Sequence, residues 1–263
     1  MRRACLAVIM VALAARAFGD EPGQSEREHV PPDPPRSGVH VMPYHEMADM
    51  MGMDDRKRFG KVMLDRLEWR DADTSIYEWE AAAWYGGDFS KLWVETEGEQ
   101  VDGSTEHARV EVLWDRIATA WWSTRLGMRW DVGESPTQGW LAVGFAGLAP
   151  GFVELEAMAY VGDGGRTALR LSTEYDLLLT QRLVLQPQLE INAYGQDDPE
   201  RLIGAGLSDL ELGLRLRYEF RREVAPYVGV SWSKAFGDSA DLVRQAGEDP
   251  DEFSLVAGVR LWF

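Results

Sequence analysis

Residues 209 to 220 read DLELGLRLRYEF, in which Leu210, Leu212, Leu214, Leu216, Tyr218 and Phe220 alternate with Asp209, Glu211, Gly213, Arg215, Arg217 and Glu219. Successive side chains of a strand point to opposite faces, so this period of two gives one wholly apolar face and one mostly charged face. A helix would scatter those charges around its girth, and a strand buried on both faces could not carry them. Thr167, Leu169, Leu171, Thr173 and Tyr175 repeat the alternation against Ala168, Arg170, Ser172, Glu174 and Asp176.

From Gly60 onward the same texture returns: about ten alternating residues and then a turn. Strands are expected near 61–69, 75–85, 89–97, 106–117, 121–132, 139–148, 151–161, 166–177, 182–194, 207–220, 225–236 and 253–263, an even number. With a periplasmic N-terminus, the inner turns fall at 86–88, 118–120, 149–150, 178–181 and 221–224. The outer loops fall at 70–74, 98–105, 133–138, 162–165, 195–206 and 237–252, mostly longer and more polar. A soluble half-buried sheet would fit the alternation equally well but has no reason for this parity of loop lengths, which is that of outer-membrane barrels. The expected fold class is all-β: a transmembrane antiparallel β-barrel of about 12 strands with a disordered Met-rich N-terminal arm.

Details of the strands agree with a bilayer as solvent. Trp84 with Tyr85, Trp121 with Trp122 and Trp262 with Phe263 stand at inner strand ends, and Trp69, Trp130, Trp140 and Tyr194 at outer ones, as aromatic girdles would. The last strand ends on Phe263, the kind of aromatic terminus that barrel-assembly machinery recognises. Pro187 falls mid-strand, where it cannot donate a ladder hydrogen bond, so a bulge is expected there.

The expected division is 1–17 signal peptide, 18–58 leader and Met-rich arm, and 59–263 barrel. Arg2 and Arg3 precede twelve apolar residues, Ala4 to Ala15, and Ala15-Arg16-Ala17 offers a small-x-small cleavage site. Twelve apolar residues are too few for a spanning helix, which needs about 20. The single cysteine, Cys5, lies inside this segment, so a processed chain would have neither a disulfide nor a Cys-ligated metal. Residues 18 to 41 are rich in Pro, Glu and Ser and too polar to fold alone.

The net charge of -17 falls to -20 once Arg2, Arg3 and Arg16 leave with the signal. Nucleic acid is thereby excluded as a partner, because its binding rests on cationic contacts to phosphate. An acidic surface concentrates cations instead.

Six of the ten methionines lie between residues 42 and 63. Met42, Met47, Met50, Met51 and Met53 share this span with His45, and His40 lies just before it. Thioether sulfur is a soft donor that selects Cu(I), and imidazole suits both copper states, so these seven residues are candidate copper ligands. The competing explanation is packing: Met47, Met50 and Met51 are spaced i, i+3, i+4 and could form the apolar face of a short helix docked on the barrel.

The polar strand faces carry Glu78, Glu80, Glu95, Glu97, Glu111, Asp115, Glu154, Glu156, Glu174, Asp176, Glu190, Asp209 and Glu211, with Arg125, Arg129, Arg170, Arg182, Arg215 and Arg217 facing the same way. Pairing of these charges across a narrow interior accounts for most of them. The alternative is a cation path on which Glu154, Glu156, Met158 and His107 are intermediate metal sites. His107 is the sole histidine after residue 45, and the alternation places no serine beside it. With no phosphate loop, zinc spacing or nucleophile elbow either, the chain is expected not to be an enzyme.

Several long runs resemble the copper resistance protein B family of Gram-negative bacteria: AWYGGDFSKLWVETEGE (83–99), GLAP (147–150), GRTALRLSTEYDLLLTQRLVLQPQLEINAYGQDDPE (165–200), GLSDLELGLRLRYEFRREVAPYVGV (206–230) and the closing VAGVRLWF. The resemblance implies an outer-membrane copper-binding barrel, acting with a periplasmic multicopper oxidase in resistance to excess copper. It also implies that the family's N-terminal Met, His and Asp clusters are reduced here to His40, Met42, His45, Met47, Met50, Met51 and Met53. The expected function is copper binding with movement across the outer membrane. A copper-sequestering barrel with a plugged lumen and a generic small-solute porin are the alternatives.

Overall fold

The computed structural model describes residues 43, 46, 47, 50, 51, 57–71, 75–101, 104–133 and 135–263. From Phe59 the chain runs as β1 (Phe59–Asp71), β2 (Ser75–Gly86), β3 (Ser90–Val101), β4 (Ser104–Ile117), β5 (Trp122–Gly133), β6 (Gln138–Ala149), β7 (Val153–Gly162), β8 (Thr167–Glu174), β9 (Leu177–Leu178), β10 (Leu183–Tyr194), β11 (Gly206–Tyr218), β12 (Val224–Ala235) and β13 (Asp251–Trp262). Every pairing is antiparallel, and β9 continues β8 along the same side of β10. β1 pairs with β13, so the 13 segments form a closed barrel of 12 staves. At the seam, the Phe263 N–H donates to the Val62 carbonyl at 2.9 Å and the Val62 N–H to the Phe263 carbonyl at 3.1 Å. Closure removes the unpaired edge that hydrocarbon would not tolerate.

The alternation sorts as expected. Leu126, Leu141, Val143, Leu169, Val228 and Leu255 stand more than half exposed on the outside, an apolar belt suited to lipid and not to water. Arg66, Glu68, Glu111, Arg125, Arg129 and Arg215 are buried within.

Four details differ from the sequence expectation. Pro187 makes no bulge: β10 keeps unbroken register with β11 through Gln186–Arg215, Pro187–Leu214 and Gln188–Gly213. The disturbance falls on the neighbouring stave. The Tyr175 N–H donates to the Pro187 carbonyl at 3.2 Å, and the return bond needs an N–H that proline lacks, so regular pairing lapses between β8 and β9.

The bulge lies instead in β1, where the register slips between Leu64–Ala81 and Arg66–Glu80. The extra residue is Asp65, so Asp65 and Arg66 both turn inward and the alternation restarts with Glu68 and Arg70 inside.

Adjacent aromatics also divide. Neighbours on a strand face opposite sides, so Trp84 points into the lumen beside Lys61 and Trp93, its cross-strand partners. Trp262 does the same opposite Met63. Trp140 and Tyr194 join an interior cluster with Leu113, Met158 and Tyr160 rather than the girdle. Trp69 and Trp130 remain exposed on the outside, and Trp121 is exposed in the turn before β5.

The outer connections are shorter than expected, because β3 and β4 stay paired up to Val101–Ser104. Beyond the lipid the backbone ladder continues although the apolar alternation is no longer required. Two outer connections are long. One, 195–205, contains the single turn Pro199–Arg201; the other, 236–250, contains α1 (Gly237–Ala246). The buried Ser239 of α1 accepts from the Gly204 N–H at 2.7 Å and meets the Ser208 hydroxyl at 2.9 Å, which seats the helix on the outer end of β11. Gln138 donates to Asp198 at 2.6 Å and Arg201 to the Pro136 carbonyl at 2.5 Å, tying two outer loops together.

Candidate functional site

Every second residue of twelve staves points into one narrow interior, and in this sequence many of those residues are ionic. Carboxylates and guanidinium groups cannot be left unpaired there, and they join across strands. Arg215 grips Glu68 with two bonds, 2.8 Å from Nε to Oε2 and 3.0 Å from Nη2 to Oε1, and donates to Gln188 at 2.8 Å. Arg70 bridges Glu78, Glu68 at 3.2 Å and Glu211 at 2.7 Å. Arg66 joins Glu78 and Glu80. Arg170 holds Glu190 at 2.7 Å and Glu97 at 3.0 Å, while Arg109 holds Glu97 and, at 3.2 Å, Glu111. The Tyr160 hydroxyl donates to Glu111 at 3.0 Å, and Asp131 receives Arg129 at 2.7 Å and the Trp140 indole at 2.8 Å.

These pairs fill the lumen at the end away from Phe59, and those of Arg109 and Arg170 with Glu97 and Glu111 also line the space that stays open. Toward the end at which the chain enters β1 the interior opens into a chamber of about 640 Å³, lined by Lys61, Met63, Asp65, Lys91, Trp93 and Glu154 among others and reaching the turn at Thr119–Trp121. Its walls carry nine carboxylates against six cationic side chains, an excess that draws cations in. Beyond its floor, the space between Arg66, Gln188, Arg215 and Tyr227 is about 20 Å³, room for one water. The cations near the mouth lie on aromatic faces: Lys61 over Trp262 at 4.9 Å, Lys91 over Trp84 at 4.6 Å and Arg125 over Trp93 at 4.8 Å.

Of the expected metal ligands, His40, Met42, His45 and Met53 lie outside the described residues. Met47, Met50 and Met51 sit on one helical turn, with the Met51 N–H on the Met47 carbonyl at 2.9 Å. All three are exposed, at 38, 61 and 63 %. His107 is exposed at the outer end of β4, 3.7 Å from Glu99. Glu154, Glu156 and Met158 share the lumen face of β7 but part company: Glu154 is exposed in the chamber, Glu156 is held by Arg125, and Met158 packs among Leu113, Trp140 and Tyr160. Arg182, expected inside, is exposed in the turn after β9, because the stave ends before its inward position is reached. Among the described residues no group of three or more His, Cys, Asp or Glu side chains is arranged to hold a metal.

Residues 58–263 match the family model described as copper resistance protein B precursor (CopB). Copper resistance protein B of Escherichia coli is 47 % identical over 203 residues, covering 77 % of this chain and 69 % of that protein. The copper resistance protein B homolog of Pseudomonas syringae pv. tomato is 42 % identical over 250 residues, covering 94 % of this chain and 83 % of that protein. The chain belongs to the copper resistance protein B family.

Its fold is also similar to that of the NanC porin, with a TM-score of 0.52 at 16 % identity over 77 % of this chain and 99 % of that one. Membership of the copper resistance protein B family, together with an outer-membrane barrel fold, places the chain at the outer membrane with a role in copper resistance. Within this family member, sequence reasoning missed Asp65, Glu68 and Met63 as lumen residues. The bulge hid the first two, since a strict period of two cannot carry both Asp65 and Glu68, three positions apart, into the lumen. The doublet Asp65-Arg66, followed by Glu68 and Arg70 alternating with Leu67 and Trp69, was the available signal.

Proposed function

We propose that this chain binds copper as its substrate on the periplasmic side of the outer membrane and holds it at the barrel mouth, without being an enzyme. The observation that carries this is a matter of place. The Met-rich segment leads into β1 at Phe59, and the acidic chamber opens at that same end of the barrel. Seven residues separate Met51 from Phe59, so the eight steps between them span at most about 28 Å. The exposed thioethers of Met47, Met50 and Met51, with His40, Met42, His45 and Met53 on the same segment, offer soft donors for Cu(I) and imidazoles for either copper state. Met63 in the chamber wall supplies one further thioether, ahead of the carboxylates.

Of the two copper readings, the filled outer lumen favours holding over free passage. Copper moving outward would have to cross the Arg–carboxylate layer, and that layer would have to open. Delivery to the outer membrane by a signal peptide, insertion by barrel-assembly machinery through the Phe263 terminus, contact with outer-membrane lipid, and copper exchange with a periplasmic multicopper oxidase complete the reading.

Purified full-length protein in liposomes tests it. Copper bound without flux into the lumen of the vesicle supports holding, flux supports a conduit, and indifference to replacement of Met47, Met50 and Met51 by leucine removes the segment from the mechanism.

A further inference from the structure

The periplasmic rim of the barrel is divided by charge. Three successive positions around it, the turn after β9, the turn after β11 and the approach to β1, carry Arg182, Arg221 with Arg222, and Lys57 with Arg58. All five are exposed. Among the described residues none of them takes part in an ion pair, and the exposed acidic residue on this arc is Glu223. The chain as a whole has a net charge of -17, so five clustered cations run against its composition. Immediately beside them the barrel's outside is apolar: Leu177, Leu179, Phe220 and Phe263 are 41, 51, 66 and 76 % exposed. The arc is therefore continuous with the lipid-facing belt.

We propose that this arc is a docking surface for anionic phospholipid in the periplasmic leaflet. The geometry is that of an interfacial site: apolar rings and leucines at the acyl boundary, and cations one or two residues beyond, at the height of the phosphates. Each Lys or Arg close to an anionic membrane surface adds to the attraction, and arginine forks match phosphate oxygens in pairs. The opposite rim gives the contrast. Its connections carry eight acidic residues, among them Asp163, Asp197, Asp238 and Asp249, against Arg166, Arg201 and Arg244, which pair with Asp198 and Asp241, and so keep a net negative charge. The inference is independent of copper.

Native mass spectrometry of the folded full-length protein, released from micelles containing equal phosphatidylglycerol and phosphatidylethanolamine, tests it. The expected result is a preference of about tenfold for retained phosphatidylglycerol, abolished in K57Q/R58Q/R182Q/R221Q/R222Q. It is kept in R116Q, which removes an exposed cation at the distant end of β4. Heat-modifiable gel mobility checks that the variants fold, and R182Q/R221Q/R222Q is expected to lose most of the preference should the fivefold variant not fold. The proposal is overturned by equal retention of both lipids, by a preference that survives the substitutions, or by displacement with millimolar inorganic phosphate, which would indicate a site for the free ion. Retention of polyglutamate in place of lipid would likewise overturn it in favour of an acidic polypeptide.

Discussion

Arg215 and Glu68 stand 147 residues apart in sequence and face each other inside the barrel through two bonds of 2.8 and 3.0 Å, with their side chains 2 and 0 % exposed. One comes from β11 and the other from β1, so the pair braces the lumen between staves that are not neighbours. A buried pair of this kind contributes modestly to net stability, but loss of one partner leaves a bare charge. Glu68→Leu is therefore expected to cost about 3–5 kcal/mol, and the double variant Glu68→Leu/Arg215→Met to recover most of that. Urea unfolding in detergent, followed by tryptophan fluorescence, gives both values. A double variant no more stable than the single one would contradict the account.

Arg125 organises the chamber wall in a similar way. It holds Glu95 at 3.0 Å, Asp115 at 3.3 Å and also Glu156. Arg125→Gln keeps a hydrogen-bonding side chain but frees three carboxylates from their shared cation. Divalent-cation binding in the chamber is expected to tighten on the order of tenfold through the changed local field. Calorimetric titration with Cu(II), at low and high salt, reads this; unchanged affinity at low salt would argue against the chamber as a cation trap.

The barrel was legible in the sequence because lipid enforces a strict rule on every strand: Leu210 to Phe220 and Thr167 to Asp176 could hardly be read otherwise. What escaped lies where that rule lapses. At Asp65 one extra residue puts two successive side chains inside, and alternation alone cannot report an insertion. Above the membrane, pairing between Val101 and Ser104 is a backbone matter, and hydrophobicity carries no trace of it. The lumen's carboxylates were visible as a set, yet their partners were not. Which arginine meets which acid depends on barrel stagger and side-chain reach, so Glu156 could be placed inside without the knowledge that Arg125 already holds it.

The exposed methionines yield a separable expectation. Leucine preserves helix propensity and volume while removing the soft donor. Met47→Leu/Met50→Leu/Met51→Leu is therefore expected to weaken Cu(I) binding by at least about tenfold while leaving barrel stability unchanged. Competition with a chromogenic Cu(I) chelator measures the first and thermal unfolding the second. Unaltered Cu(I) affinity would assign binding elsewhere.

Gly98 sits where β3 passes beneath the Trp79 ring, and a Cβ there would meet both that ring and the His107 carbonyl. The backbone cannot give way without disturbing the β3–β4 ladder, so Gly98→Ala is expected to destabilise by about 1–3 kcal/mol. Trp79 is 7 % exposed although it belongs to the outward face of β2, which means that its ring lies flat against the staves and uses the space that Gly98 leaves. Trp79→Leu/Gly98→Ala supplies a smaller side chain and is expected to recover part of the loss. Both variants can be compared by urea midpoint in detergent. A single variant as stable as the parent would show that the ring is free to lift into lipid.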